Sequence, residues 1–498
     1  MSSAYDDFNG VPIAGEAGVT NSVTATAPGQ TITAVGAYAQ LSDIAGGDTL
    51  IGGVGSTDFM VADPQTVVLQ GAHTGVSSLI SWVSFSLPSG VNDGYEQQTN
   101  ATLAGAAGAE NLLVADAAKD VLIGGLHGND VLVDAGAGSE RFDFVPGGGH
   151  EVVYGFQTSG ATSDYLNLSA YGYTSFSQIE PLLKQDGADT LLTLSSTDAV
   201  LIRNTQAASL TASDFMLALD TSALTKTFDE EFNSLSLYNP ATGQGTWKTN
   251  FASGIQSGSG SLTSRTLIPN SEQEIYVDPS YAGTAGGTTA LGLDPFSISN
   301  GVLTITASKT PSADLAALGG QPYVSGLLTT QTSFAQTYGY FEIKAELPTG
   351  QGVWPAFWLQ PENAVNADEL DVMENVNGSS TVFQTAHWGP MGAAVQSSWD
   401  SAVAGLSAGF HTYGLLWTAQ DLVWYIDGKA VAEMPTPASM NQPMYLQIAL
   451  AVGGNAPGAA TISSATMEVD YVHAYALNES SASSSTGSAS YTASSSSD

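Results

Sequence analysis

The sequence predicts an all-β chain: a C-terminal β-sandwich jelly roll with a concave cleft, preceded by a Gly/Asp-rich β-roll-like region. Three observations carry that prediction. Helical periodicity is nearly absent. Across residues 1–220, Gly turns, Asp or Asn, and apolar pairs recur. From residue 225 to 477 the texture changes to aromatic-rich runs such as "YGYFEIKAEL", "GVWPAFWLQ", "TYGLLWT" and "MYLQIALAVGG", divided by Gly, Pro and Asn turns. Short strands at such spacing suit one large sandwich or jelly roll.

Composition bounds the function. The chain has 498 residues, more than one ordinary domain holds. Hydrophobic residues make up 43%, enough for real cores. Ten Lys+Arg against 47 Asp+Glu give a net charge of −37, which repels nucleic acid and anionic membranes. Such a surface keeps a protein soluble, and divalent cations can neutralise part of it. Without cysteine there is no disulfide and no thiolate-bound metal. The start "MSSAYDDFNG" lacks the basic and apolar segments of a signal peptide. No apolar run reaches 18 residues, so no transmembrane helix is expected. Residues 478–498 are nearly pure Ser, Ala, Thr and Gly, a composition expected to stay disordered.

In the first region, "GGDTLIGGVGSTDFMV" (Gly46–Val61) and "KDVLIGGLHGNDVLVDAGAGSERFDFV" (Lys119–Val145) alternate a Gly turn, an Asp or Asn, and an apolar pair. Glycine permits tight turns, carboxylates and turn carbonyls are hard oxygen ligands for Ca²⁺, and alternate apolar residues can stack as short parallel strands. This texture resembles the calcium-binding nonapeptide of RTX proteins, G-G-x-G-x-D-x-U-x. The resemblance spans about residues 40–220. Asp48 and Asp58, and Asp120 and Asp130, are ten apart rather than nine, and Glu140 stands where Asp is usual. It implies structural Ca²⁺ at Asp48, Asp58, Asp120 and Asp130, folding outside the cell, and export by type I secretion machinery without an N-terminal signal peptide. Many RTX proteins are zinc proteases with H-E-x-x-H, but "HEVVYGF" places Tyr154 where the second His belongs, which excludes that reading.

In the second region, "ADELDVMENVNG" concentrates Glu369, Asp371 and Glu374. On a strand, Glu369 and Asp371 share a face ~6.6 Å apart, and Glu374 points the other way. A β-bulge that absorbs Val372 or Met373 would return Glu374 to their face. Two carboxyl groups flanking one bond are what glycoside hydrolysis requires, closer for retention than for inversion. Trp354 and Trp358, four apart, can face the same side of a strand, where an apolar sugar face stacks on an aromatic ring.

The acidic motif resembles E-[ILV]-D-x-x-E of family 16 glycoside hydrolases, in the bulged form of laminarinases. "FDEEFN", "NSEQEIY", "SGLLTTQTSFAQTYGYFEIKAELPTGQGVWPAFWL", "AHWG", "WYIDGK", "AVGG" and "VDYVHAY" follow the same family in order over residues 225–477. The resemblance implies Glu369 as nucleophile, Glu374 as general acid and then base, and Asp371 as the group that tunes the nucleophile. His387 would orient one of the acids. Trp354, Trp358, Asn270 and Glu272 would line the substrate cleft, and Glu231 and Asp470 would hold a structural Ca²⁺ on the convex face. The implied activity is a secreted endo-β-glycanase cleaving β-1,3- or mixed β-1,3/1,4-glucan, or a related bacterial exopolysaccharide. A non-catalytic carbohydrate-binding protein and a transglycosylase are the alternatives on this scaffold. The first would have no need of all three acids.

Overall fold

The computed structural model describes residues 21–43, 46–136, 138–158, 162–251, 260–363, 365–403, 405–454 and 460–478. The Ser-rich tail lies, apart from Asn478, outside them. The chain divides into two compact units, Met1–Leu219 and Asp220–Asp498. Among the described residues no helix is long and apolar enough to cross a membrane.

The first unit is a parallel β-roll. Successive short strands alternate between two walls. One wall contains Leu112–Ala115, Val131–Asp134 and His150–Tyr154; the other contains Thr102–Ala104, Val121–Ile123 and Arg141–Asp143. Leu112 lies opposite Val131, 19 residues on, and Val121 opposite Arg141, 20 on. One coil therefore takes two of the ten-residue units seen in the sequence. Leu113, Leu122, Leu132, Phe142 and Val153 fill the space between the walls. His150–Tyr154 is a strand, so the "HEVVY" segment has none of the helical geometry a zinc protease uses.

The second unit is a sandwich of two mostly antiparallel sheets. A six-stranded sheet orders Leu327–Thr329, Met444–Val452, Val353–Pro361, Glu369–Glu374, Thr381–Trp388 and Val395–Ala402. The facing sheet includes Ser464–Leu477, Gly339–Glu346, His411–Trp417 and Asp421–Ile426. Alternation decides which side chains meet between them. Phe357 and Leu359 of one strand, and Leu446, Ile448 and Leu450 of its neighbour, pack on Phe341, Ile343, Leu415 and Trp424. The intervening residues Trp354, Ala356, Trp358 and Gln360, with Tyr445, Gln447, Ala449 and Ala451, fall on the opposite face. That face is the concave floor.

Candidate active site

The floor is laid out by cross-strand register. Gln360 pairs with Tyr445, and Glu369 pairs with His387 on the next strand. Trp358 pairs with both Gln447 and Asp371, and Asp371 with Thr385. Ala356 pairs with Ala449 and Glu374, and Glu374 with Phe383. Trp358 and Ala356 are two residues apart, as are Thr385 and Phe383, yet Asp371 and Glu374 opposite them are three apart. The strand carries one extra residue on both of its edges, which is a bulge at Val372–Met373. Both bulge side chains enter the core. The Asp371 carbonyl at the bulge accepts a hydrogen bond from the indole N–H of buried Trp424, which reaches across from the facing sheet (2.9 Å). Glu374 is thereby returned to the face of Glu369 and Asp371.

Each acid meets a different partner. Trp354 Nε1 donates to Glu374 Oε1 at 2.8 Å. His387 Nε2 lies 3.1 Å from Asp371 Oδ2. Gln360 Nε2 donates to Glu369 Oε2 at 2.7 Å. Burial first, and neighbouring carboxylates next, push Glu369 and Asp371 above the usual carboxylate range. Burial likewise raises Glu374, against the pull of the Trp354 N–H. Three carboxyl groups so placed do not all ionise together, so the cleft retains a proton that an acid can deliver.

A hollow beside the acids is lined by Trp354, Trp358, Asn270, Glu272, Tyr276 and Phe251 together with Glu369, Asp371 and Glu374. All four expected substrate-binding residues thus border the same space as the three acids. Trp358 is mostly buried and packs on Phe251, ring centroids 6.5 Å apart, so it offers less surface than Trp354. Glu272 Oε2 is already engaged by the Leu267 N–H at 2.9 Å. The "AVGG" segment has a steric purpose: a Cβ on Gly454, at φ +72°, would collide with the Trp354 ring. On the far side of Glu369 a second hollow of about 380 Å³ is bordered by Gln360, Glu362, Asp368, His387, Met391 and Tyr445.

Residues 290–473 match the family model for glycosyl hydrolases family 16. The endo-1,3-1,4-beta-glycanase ExsH of Rhizobium meliloti (strain 1021) is 38% identical over 453 residues, covering 86% of this chain and 88% of that protein. A second glycanase from the same strain, EglC, is 36% identical over 440 residues, with the same coverage. The chain belongs to glycosyl hydrolase family 16. It is a glycoside hydrolase, and its two close relatives align with the β-roll as well as the sandwich.

This glycoside hydrolase keeps its expected metal-binding acids apart. Asp120 Oδ1 accepts from the Ala101 N–H (3.0 Å), and Asp48 Oδ1 from the Gln30 N–H (2.6 Å). Asp130 accepts from the N–H groups of Asn111 (2.8 Å) and Gly125 (2.6 Å). These aspartates stand at strand entries and hold the preceding coil. Ten residues are half a coil, so Asp120 enters one wall and Asp130 the other. Asp58, within its strand, accepts from the Tyr38 (2.8 Å) and Ser78 hydroxyls. Asp58 and Asp130 therefore have both oxygens in use, whereas Asp48 Oδ2 and Asp120 Oδ2 are buried without a partner, as are both oxygens of Glu140.

Nor do Glu231 and Asp470 share a cluster of three ligand atoms among the described residues. Asp470 sits at a bulge in its strand and pairs with Lys344 at 2.8 Å. Glu231 instead joins Asp229 and His473, 2.8 Å from His473 Nε2.

Sequence reasoning did not single out Gln360, Tyr445 and Gln447. The usable signal was period two: in "WPAFWLQP", Gln360 shares a face with Trp354 and Trp358.

Proposed function

We propose that this protein is a retaining endo-β-glycanase acting on β-1,3- or mixed β-1,3/1,4-linked glucan or a related exopolysaccharide. The observation that carries the reading is the bulged strand, which sets Glu369 and Glu374 on one face with the Asp371–His387 pair between them. Glu369 attacks the anomeric carbon while Glu374 protonates the departing glycosidic oxygen, leaving a glycosyl ester on Glu369. Glu374, now a carboxylate, takes a proton from water, which attacks the same carbon and frees Glu369. Trp354 serves both purposes, offering a ring for a sugar to stack on and an N–H that aims the Glu374 carboxyl.

Incubation with laminarin, lichenan and succinoglycan, with products sized over time, identifies the substrate. Proton NMR of the first products should show the β-anomer, and Glu369→Gln should abolish their release. First products of α configuration, or unchanged release by the Gln variant, would overturn the mechanism.

The same reading includes structural calcium in the β-roll and release from the cell. Support for calcium comes from the partnerless buried oxygens of Asp48, Asp120 and Glu140. Calorimetric melting with and without chelator tests it, and a roll transition indifferent to both would reject it.

A further inference from the structure

We propose that Gln360 is a positioning residue for the nucleophile, held in one orientation by Tyr445 and Gln447; this rests on the reading of Glu369 as nucleophile. An amide side chain has a donor end and an acceptor end, and its environment decides which way each faces. Here Gln360 Oε1 accepts from the Tyr445 hydroxyl at 3.0 Å and from Gln447 Nε2 at 3.2 Å. Its Nε2 is left to face Glu369 Oε2 at 2.7 Å. Turning the amide over would set a carbonyl against a carboxylate and an NH₂ against the Gln447 NH₂. Among the described residues, Gln360 is the side chain that hydrogen-bonds the Glu369 carboxylate.

Two consequences follow for the chemistry. The N–H favours the ionised form of Glu369, opposing burial and Asp371, and a neutral donor does so without the full charge that would quench a nucleophile. It also engages one oxygen only, so the carboxyl plane is fixed while Oε1 stays available for attack. The relay comes from strand pairing. Tyr445 lies directly across from Gln360, and Glu369 follows next in the row, since Leu359 pairs with Leu370.

Gln360→Leu keeps the volume and removes both ends of the relay. It should lower kcat by about 10–100-fold, the worth of one hydrogen bond to a charged group, with KM little changed. The acidic limb of the kcat/KM profile should move to higher pH, because the carboxylate has lost its support. Tyr445→Phe should give a smaller loss and add nothing in the Gln360→Leu background. The defect should persist with a dinitrophenyl β-glycoside, whose leaving group needs no acid. The Glu369→Gln variant, measured alongside, separates the two ideas. If it stays active, the nucleophile assignment fails. If it is dead but Gln360→Leu keeps the wild-type rate and pH profile, or changes KM alone, only the positioning role fails. Matching melting curves for Tyr445→Phe and wild type guard against misfolding.

Discussion

Asp120 and Asp130 in the β-roll are fully buried, Glu369 and Glu374 in the sandwich partly so, and burial raises the pKa of each. Their surroundings differ. The roll aspartates lie under the backbone of the preceding coil and accept its N–H groups. The cleft acids meet side-chain donors, Gln360 and Trp354, and border a hollow. An acid buried under backbone is out of a substrate's reach. An acid held at one oxygen on the edge of a hollow is within it. The same perturbation therefore marks a structural device in one unit and a reactive group in the other, and the partner together with the bordering hollow tells them apart.

The sharpest way to break this comparison is to exchange acid for amide at Glu374. Glu374→Gln should cut turnover of a natural glucan by roughly 10²–10⁴-fold. With a dinitrophenyl glycoside it should recover most of kcat/KM, which reports the first step, while kcat stays low until azide replaces water as the nucleophile, and the roll melts as before. Equal loss of kcat/KM on both substrates would mean Glu374 is not the acid.

Asp130→Ala should do the reverse. It strands the N–H groups of Asn111 and Gly125 in a dry interior and should cost the roll on the order of 3 kcal/mol. Calorimetry would register that as an earlier roll transition, with hydrolysis by the folded protein unchanged. A loss of activity without a loss of stability would place Asp130 in the chemistry.

The smallest effect is spread over several groups. Burial lifts Asp130 to about 6, Asp120 to about 7, Glu96 to about 8 and Glu140 to about 9. Unfolded, such groups titrate near ~4. Between those limits the folded roll holds more protons than the unfolded chain. Its stability is therefore full below about pH 4 and lost as pH rises towards 9. The melting temperature of the roll should fall steadily over that window in chelator, and calcium should flatten the slope. A rise with pH in chelator would show that these carboxyls are ionised in the fold.

The cleft was legible where its chemistry lies along one strand. The spacing of Glu369, Asp371 and Glu374 states both the acids and the bulge, because period two fails by one residue. Trp354 was legible by the same rule. Gln360, Tyr445 and Gln447 were harder to see, because their contact is made by pairing strands about 85 residues apart, a register that no local pattern encodes. In the roll the ten-residue spacing was legible, but not that each repeat is half a coil, so that successive aspartates such as Asp120 and Asp130 enter opposite walls.

The bulge at Val372–Met373 behaves as a phase mark in a two-letter code. Upstream of it, odd-numbered residues of the strand read outwards; downstream, even-numbered ones do. Substitutions at 372 or 373 change what the core contains but leave the phase intact. Deleting one of them together with the bulge leaves plain alternation with all three acids still on one face, whereas straightening the strand with both residues kept sends Glu374 inward. The face that Glu374 takes is therefore set by the length of the segment after Asp371 and the bulge jointly, and not by the side chains at 372 and 373.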